Sequence, residues 1–177
     1  MKHNPNSDEA HARLIALIEE IEGQTDRGAA IVGAAWVEEA LSAAIESFLH
    51  SDSKSWQRLF GANNPMSTFS AKIDLSSLLG MISEVIRSDL HIIRDVRNEF
   101  AHQIAHKTQH TKLGFNSPHI RDKCLALKSV AHEEHTEGRT AFVRACAIIN
   151  SDFEMMRFVG MKISDSGQIF AKVERET

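Results

Sequence analysis

Residues 91–106 read HIIRDVRNEFAHQIAH, and the fold follows from how this run is read. Leu90, Ile93, Phe100 and Ile104 recur at intervals of three, seven and four residues, which sets them on one face of a helix. No Gly or Pro interrupts the run. A polar stripe follows the same helix. His91, Asp95, Asn98 and His102 lie four, three and four apart and stack above one another. Arg97 sits beside that stripe, nearer the apolar face, where its stem can lie along apolar surface while the guanidinium reaches the polar row.

Two readings of this cluster stand side by side. In one, His102 exchanges a proton near neutral pH, Arg97 holds a phosphate in a bidentate fork, and Asn98 orients the imidazole or the phosphate. In the plainer one, Arg97 pairs with an inward carboxylate, Asn98 caps a neighbouring element, and His102 merely ends a helix.

Working outward, Thr25 or Asp26 caps a long helix reaching about Leu49, with Ile31, Ala34, Leu41, Ile45 and Phe48 as its core arc. Ala30, Ala34 and Ala44 let another helix approach closely. Glu38 falls inside that arc. Either it points inward and needs a partner, for which Arg97, Arg94 and Lys72 are candidates, or the helix is rotated and Glu38 reaches solvent. Upstream, Ser7 or Asn6 caps a first helix over residues 8–22, with Leu14, Leu17, Ile18 and Ile21 as its stripe and Gly23 as its end. Between residues 50 and 67 lies a connection rich in Ser, Asn and Gly, with a short turn at Trp56–Phe60. Residues 68–82 form a further helix with Phe69, Leu75, Leu78, Leu79 and Ile82 as apolar positions, broken at Gly80 and Ser83. The central helix then runs from Glu84 to His106. Pro118 opens a helix to about Ala131, and a last helix covers residues 139–161 with Phe142, Cys146, Ile149, Phe153 and Met156 on its face. Ser164, Asp165, Ser166 and Gly167 are a turn signal, and residues 168–173 read as a short strand, an extended arm or a disordered segment.

The chain has 177 residues, enough for one domain with a real core. It is 42% hydrophobic and 25% charged, with three Pro and no Tyr, which favours helices. The expected architecture is an all-α single-domain bundle of five to six helices over residues 7–161, with a polar lead over 1–6 and a tail over 162–177. A formal net charge of −4 argues against a broad basic surface gripping nucleic acid. Cys124 and Cys146 read as buried thiols of a reducing compartment. No signal core is seen and no apolar run is taken as a membrane span, so the chain is placed in the cytoplasm.

Other motifs carry less. His102, His106 and His110 are spaced by four, but no acidic or Cys ligand joins them, so no metal is assigned. His132 and His135 are three apart, not the four of the zinc-protease signature. No phosphate loop or nucleophile elbow occurs, and no cofactor is implied. Residues 75–90 can be laid on a helix-turn-helix, with Ser76, Gly80 and Ile86 in suitable places, but Glu84 and Asp89 on the reading helix would repel phosphates. Direct sequence-specific DNA binding is therefore not expected.

Several segments together resemble the mannitol operon repressor family of bacteria. They are Arg27–Val32 with Glu38, Pro65–Ile73, Leu79-Gly80, Asp89–Arg94 and Arg97–His102, within a span of about Thr25 to Asn150. The last segment is also similar to the Arg-Asn-x-x-x-His signature of the HEPN superfamily, small helical bundles that include metal-independent ribonucleases. The resemblance implies a HEPN-like bundle that controls expression without an ordinary helix-turn-helix. The preferred reading is thus a cytoplasmic regulator that contacts a protein partner, with Glu38, Lys72, His91, Arg94 and Asp95 in a binding or structural network. The alternative is a metal-independent endoribonuclease of toxin or defence type. There His102 would act as acid or base, Arg97 would stabilise the phosphorane, Asn98 would position it, and RNA would be the substrate. A homodimer is expected, and under the ribonuclease reading the polar stripe should lie at or beside its two-fold axis, because one acidic subunit offers little positive charge to grip RNA.

Overall fold

Thr25 starts the central element. Its hydroxyl accepts the Gly28 N–H at 3.2 Å, satisfying one of the free donors at a helix N-terminus, and α2 runs from there over Asp26–Phe48. The computed structural model describes residues 5–49, 53–102, 113–131 and 137–166. Among the described residues there are seven helices and no strands, forming one bundle. Besides α2 these are α1 (Pro5–Glu22), α3 (Ser53–Phe60), α4 (Phe69–Leu78), α5 (Glu84–His102), α6 (Pro118–Leu125) and α7 (Gly138–Ser166).

α2 and α7 form the most extensive helix pair, and α2 also meets α1, α4 and α5. Small residues make this possible. Ala29, Ala30, Gly33, Ala34, Ala40 and Ala44 are all buried. A Cβ at Gly33 would stand 3.3 Å from both the Cys146 Sγ and the Phe142 ring, so glycine sets how closely the two helices approach. Val37, Leu41 and Ile45 complete the buried face, each contributing about 1.5–3 kcal/mol by leaving water. α2 is long and apolar enough to cross a membrane by length and composition, contrary to the expectation that no run would be. Its buried face is spent on α7 and the rest of the bundle.

α5 places Leu90, Ile93, Val96 and Phe100 in the core with no exposure. Phe100, Phe115 and Phe142 then stack in sequence, each neighbouring pair of ring centroids 5.2 Å apart in a tilted arrangement. Phe115 is held there through its backbone. Its N–H donates to Asp26 Oδ2 at 3.1 Å, while Asp26 Oδ1 takes the guanidinium of Arg139, which also donates to the Glu22 and Gln24 carbonyls. The approach is so close at Gly114 that a Cβ would lie 2.8 Å from Asp26 Oδ2.

The structure corrects several readings of the sequence. α2 is rotated, so that Ile31 and Phe48 are only half-buried and the alanines take the centre of the face. The short turn at Trp56–Phe60 is a full helix, α3, whose Trp56 and Phe60 rings stack at 3.8 Å. α4 stops at Leu78, because Gly80 adopts a φ of +67° and closes a Schellman turn. Met81 N–H donates to Ser76 O at 2.9 Å and Gly80 N–H to Ser77 O at 3.0 Å. Leu78 and Leu79 therefore project from the corner instead of lining the core, and Ile73 takes the buried place. The helix from Pro118 ends at Leu125, and α7 continues through Ser164 to Ser166, past the expected turn. α1 begins at Pro5, ahead of the expected caps at Asn6 and Ser7. Residues 103–112, including Ile104, and 167–177 lie outside the described residues.

Asp89 is the sharpest correction. It does not face outward as a surface carboxylate. It has no exposure, and its two oxygens accept the backbone N–H groups of Lys128 at 3.0 Å and Ser129 at 2.7 Å. Two amide donors satisfy the buried charge and pin the chain after α6 against α5.

Candidate functional site

Three helices build the cluster. Thr68 caps α4 by accepting the Ala71 N–H at 3.2 Å, which aims Ser70 and Lys72 at their neighbours on the first turn. Rotation of α2 puts Glu38 on its shoulder, half-buried, rather than in the centre of its buried face. α5 carries Arg94 and Arg97 on the side that meets α4 and α2.

Glu38 is shared by two cations. Lys72 Nζ donates to its Oε1 at 2.9 Å, and Arg97 Nη2 stands 3.8 Å from its Oε2. Lys72 and Glu38 are largely covered, at 13% and 18% side-chain exposure, whereas Arg97 keeps 36%. The first contact is a hydrogen-bonded ion pair and the second is a longer electrostatic one. Arg97 Nη1 also reaches Asn98 Oδ1 at 3.4 Å. Asn98 thereby presents its oxygen to Arg97. Arg94 does not join Glu38. It donates to Ser70 Oγ at 3.0 Å and to Asp95 Oδ1 at 2.7 Å.

Of the residues singled out in the sequence, Glu38, Lys72, Arg97 and Asn98 thus form one chain of contacts, and Arg94, Asp95 and Ser70 form a second beside it. His91 and His102 are bonded to neither among the described residues. His102 is exposed at the last position of α5. His106, His110, His132 and His135 lie outside the described residues. Among the described residues no group of three or more His, Cys, Asp or Glu is arranged to hold a metal.

A third contact group went unread in the sequence. Glu99 Oε2 accepts His119 Nε2 at 2.8 Å, and its Oε1 takes Lys123 Nζ. His119 and Lys123 lie four apart on α6, the spacing that puts two side chains on one helix face, and Glu99 comes from α5. That spacing was the available signal, but nothing in it names the partner helix. Next to Lys123 in the chain is Cys124, whose thiol burial pushes up to about 12, with Lys123 opposing the rise and Glu99 adding to it. Cys146 is pushed well above its ordinary value by burial, with Cys124 adding to the rise.

The cations nearest the core are occupied by carboxylates of the same chain. The outer stripe offers an amide, two imidazoles and a carboxylate on one rigid helix face.

No family model matches the chain, and no curated protein matches it. Its fold matches a solved structure, described as the X-ray structure of the MtlR-HPr complex from Escherichia coli. The TM-score is 0.64 at 17% sequence identity, over 80% of this chain and 98% of that one. The chain has an MtlR-like helical fold. At this identity the likeness is one of fold.

Proposed function

We propose that this chain is a helical regulatory module that works by contact with a protein partner, in the manner of the mannitol operon repressor family. One observation carries the reading: its fold is that of a protein solved in complex with HPr. The HPr of its own organism is the first partner to test. Gene control then runs through that contact in the cytoplasm, without reading of an operator by this chain. The α4–α5 corner supports the same view, since it turns Glu84 outward and commits Asp89 to backbone amides. The outer stripe of α5, His91, Asp95, Asn98 and His102, is the contact face proposed here, and the Glu38–Lys72 pair joins α2 to α4 while Arg97 ties α5 to the same carboxylate.

The ribonuclease alternative assigns Arg97 to a phosphate. In this fold Arg97 is partly drawn to Glu38, which lowers the positive charge it can offer to a phosphorane. Incubation of the purified chain with labelled RNA in chelator separates the two. The regulator reading expects intact RNA. Chelator-resistant cleavage that is lost in His102→Ala would overturn it and install the enzyme.

A further inference from the structure

α3 stands apart from the bundle. It has eight residues, packs against no other helix among the described residues, and reaches the core through Phe60, on which Trp56 stacks. An isolated helix shorter than about 12–15 residues is marginal in water, so this one depends on what covers it. The loop after it ties its end down. Asn64 Nδ2 donates to the Gln57 carbonyl at 2.9 Å, and Met66 N–H donates to the Leu59 carbonyl at 2.8 Å. Phe60 and the Trp56 ring take the inward side. Leu59, 44% exposed, is left on the outward side with Lys54 and Arg58. α3 has no acidic residue, and among the described residues the Arg58 guanidinium meets the Ser55 hydroxyl at 3.4 Å and no carboxylate.

α1 ends with the opposite sign. Its last four residues include Glu19, Glu20 and Glu22 and no basic residue. That is the end of a helix where the backbone dipole disfavours negative charge. Glu19 and Glu22 follow Ile15 by four and seven residues, on the same helix face, and Ile15 is 42% exposed. Neither carboxylate forms an ion pair among the described residues. Each surface is thus an apolar anchor beside charge that its own chain does not pair.

We infer that α3 docks on the C-terminal end of α1 in a second copy of this chain, the two copies exchanging this contact about a two-fold axis. The topology selects that occupant together with the charge. α1 leads into the start of α2 and α3 follows its end. The two surfaces therefore lie at opposite ends of a 23-residue helix, about 34 Å long at 1.5 Å per residue, and do not meet within one copy. Two copies set antiparallel along α2 bring each α3 to the other's acidic end, so both contacts form together and the pair closes. Leu59 then covers Ile15, and Arg58 reaches Glu19 and Glu22. Two contacts made at once reinforce each other. An anionic lipid surface fits less well, because the chain as a whole carries a formal net charge of −4. No residue of the α5 stripe takes part.

Sedimentation equilibrium of the full chain across a wide concentration range tests this. The expected result is a monomer–dimer equilibrium that Arg58→Glu weakens by about tenfold or more, as does the pair Glu19→Arg with Glu22→Arg. Both variants should keep the circular dichroism of wild type, since these side chains are exposed. Mixing the two should restore the dimer. In the mixed pair one contact is wild type and the other has both signs reversed. A chain that stays monomeric up to roughly hundreds of micromolar overturns the inference. So does a dimer that neither charge change weakens, or one that both weaken and mixing does not restore. Flotation with phosphatidylserine vesicles should leave the chain behind. A monomeric chain that floats with them, and no longer does so with Arg58→Glu, would give α3 to a membrane instead.

Discussion

Glu38 and Lys72 meet at 2.9 Å across thirty-four residues of sequence, joining the shoulder of α2 to the first turn of α4, with Arg97 of α5 as a second and looser cation on the same carboxylate. Three helices are registered by one acidic side chain. Glu38→Gln leaves Lys72 covered and facing no counter-charge, and should cost about 1.5–3 kcal/mol, the worth of a hydrogen bond to a charged group. The neighbouring Glu39 is exposed, so Glu39→Gln should stay within about 0.5 kcal/mol. Urea unfolding midpoints of the two variants check this, and equal effects would show that the pair does not hold the helices.

Asp89→Ala should be worse. It strands the Lys128 and Ser129 N–H groups that the carboxylate now satisfies, and opens a hole beside Leu90. Each unsatisfied buried group costs about 1–3 kcal/mol, so a loss of roughly 2–5 kcal/mol is expected. Hydrogen exchange at those two amides should speed up in the variant before global unfolding. Unchanged exchange there would contradict the assignment.

These two carboxylates show what the sequence could and could not disclose. The apolar row Leu90, Ile93 and Phe100 was legible because helical periodicity alone places it, and Thr25 was legible as a cap because its hydroxyl can serve a free amide, whereas Thr68, read as the first residue of its helix, is in fact the cap. Glu38 was legible as a residue needing a partner, though the arc around it was drawn one step out of phase. With Ala on several sides, α2 gives periodicity little contrast. Asp89 was not legible, since its partners are backbone amides some forty residues away, and an amide carries no side-chain signature. Leu78 and Leu79 were misplaced for a local reason. The Gly80 turn ends the helix just where their spacing would have carried them inward. The Glu99, His119 and Lys123 group needed the α5–α6 contact, which no local pattern gives.

Phe115 links Phe100 to Phe142 and is 1% exposed, so Phe115→Ala removes the middle of the aromatic row. The expected loss is about 3–5 kcal/mol. Calorimetric unfolding should show a single transition at a lower midpoint. A midpoint matching wild type would mean that the row is not core.

The two thiols give a pH prediction. Burial raises Cys124 to about 12 and lifts Cys146 well above its ordinary value, so both are neutral in the folded chain across the physiological range. A folded value raised above the unfolded one gives stability that is whole below about pH 9, the ordinary value for a thiol in water, and lost as pH rises toward 12. Unfolding midpoints should therefore fall more steeply above pH 9 for wild type than for Cys124→Ala with Cys146→Ala. At pH 7.5 an alkylating reagent should label neither thiol until denaturant is added. Rapid labelling of the native chain would contradict the burial.

The central claim is that this helical chain acts by binding a protein. Calorimetric titration of the full chain with unmodified HPr from the same organism tests it most directly, with His91→Ala, Asn98→Ala and His102→Ala run beside wild type. A saturable binding heat at one HPr per chain, weakened by stripe variants whose thermal midpoints are unchanged, is the predicted result. No binding heat with HPr at concentrations of hundreds of micromolar, from a chain that is folded by its circular dichroism, would contradict it.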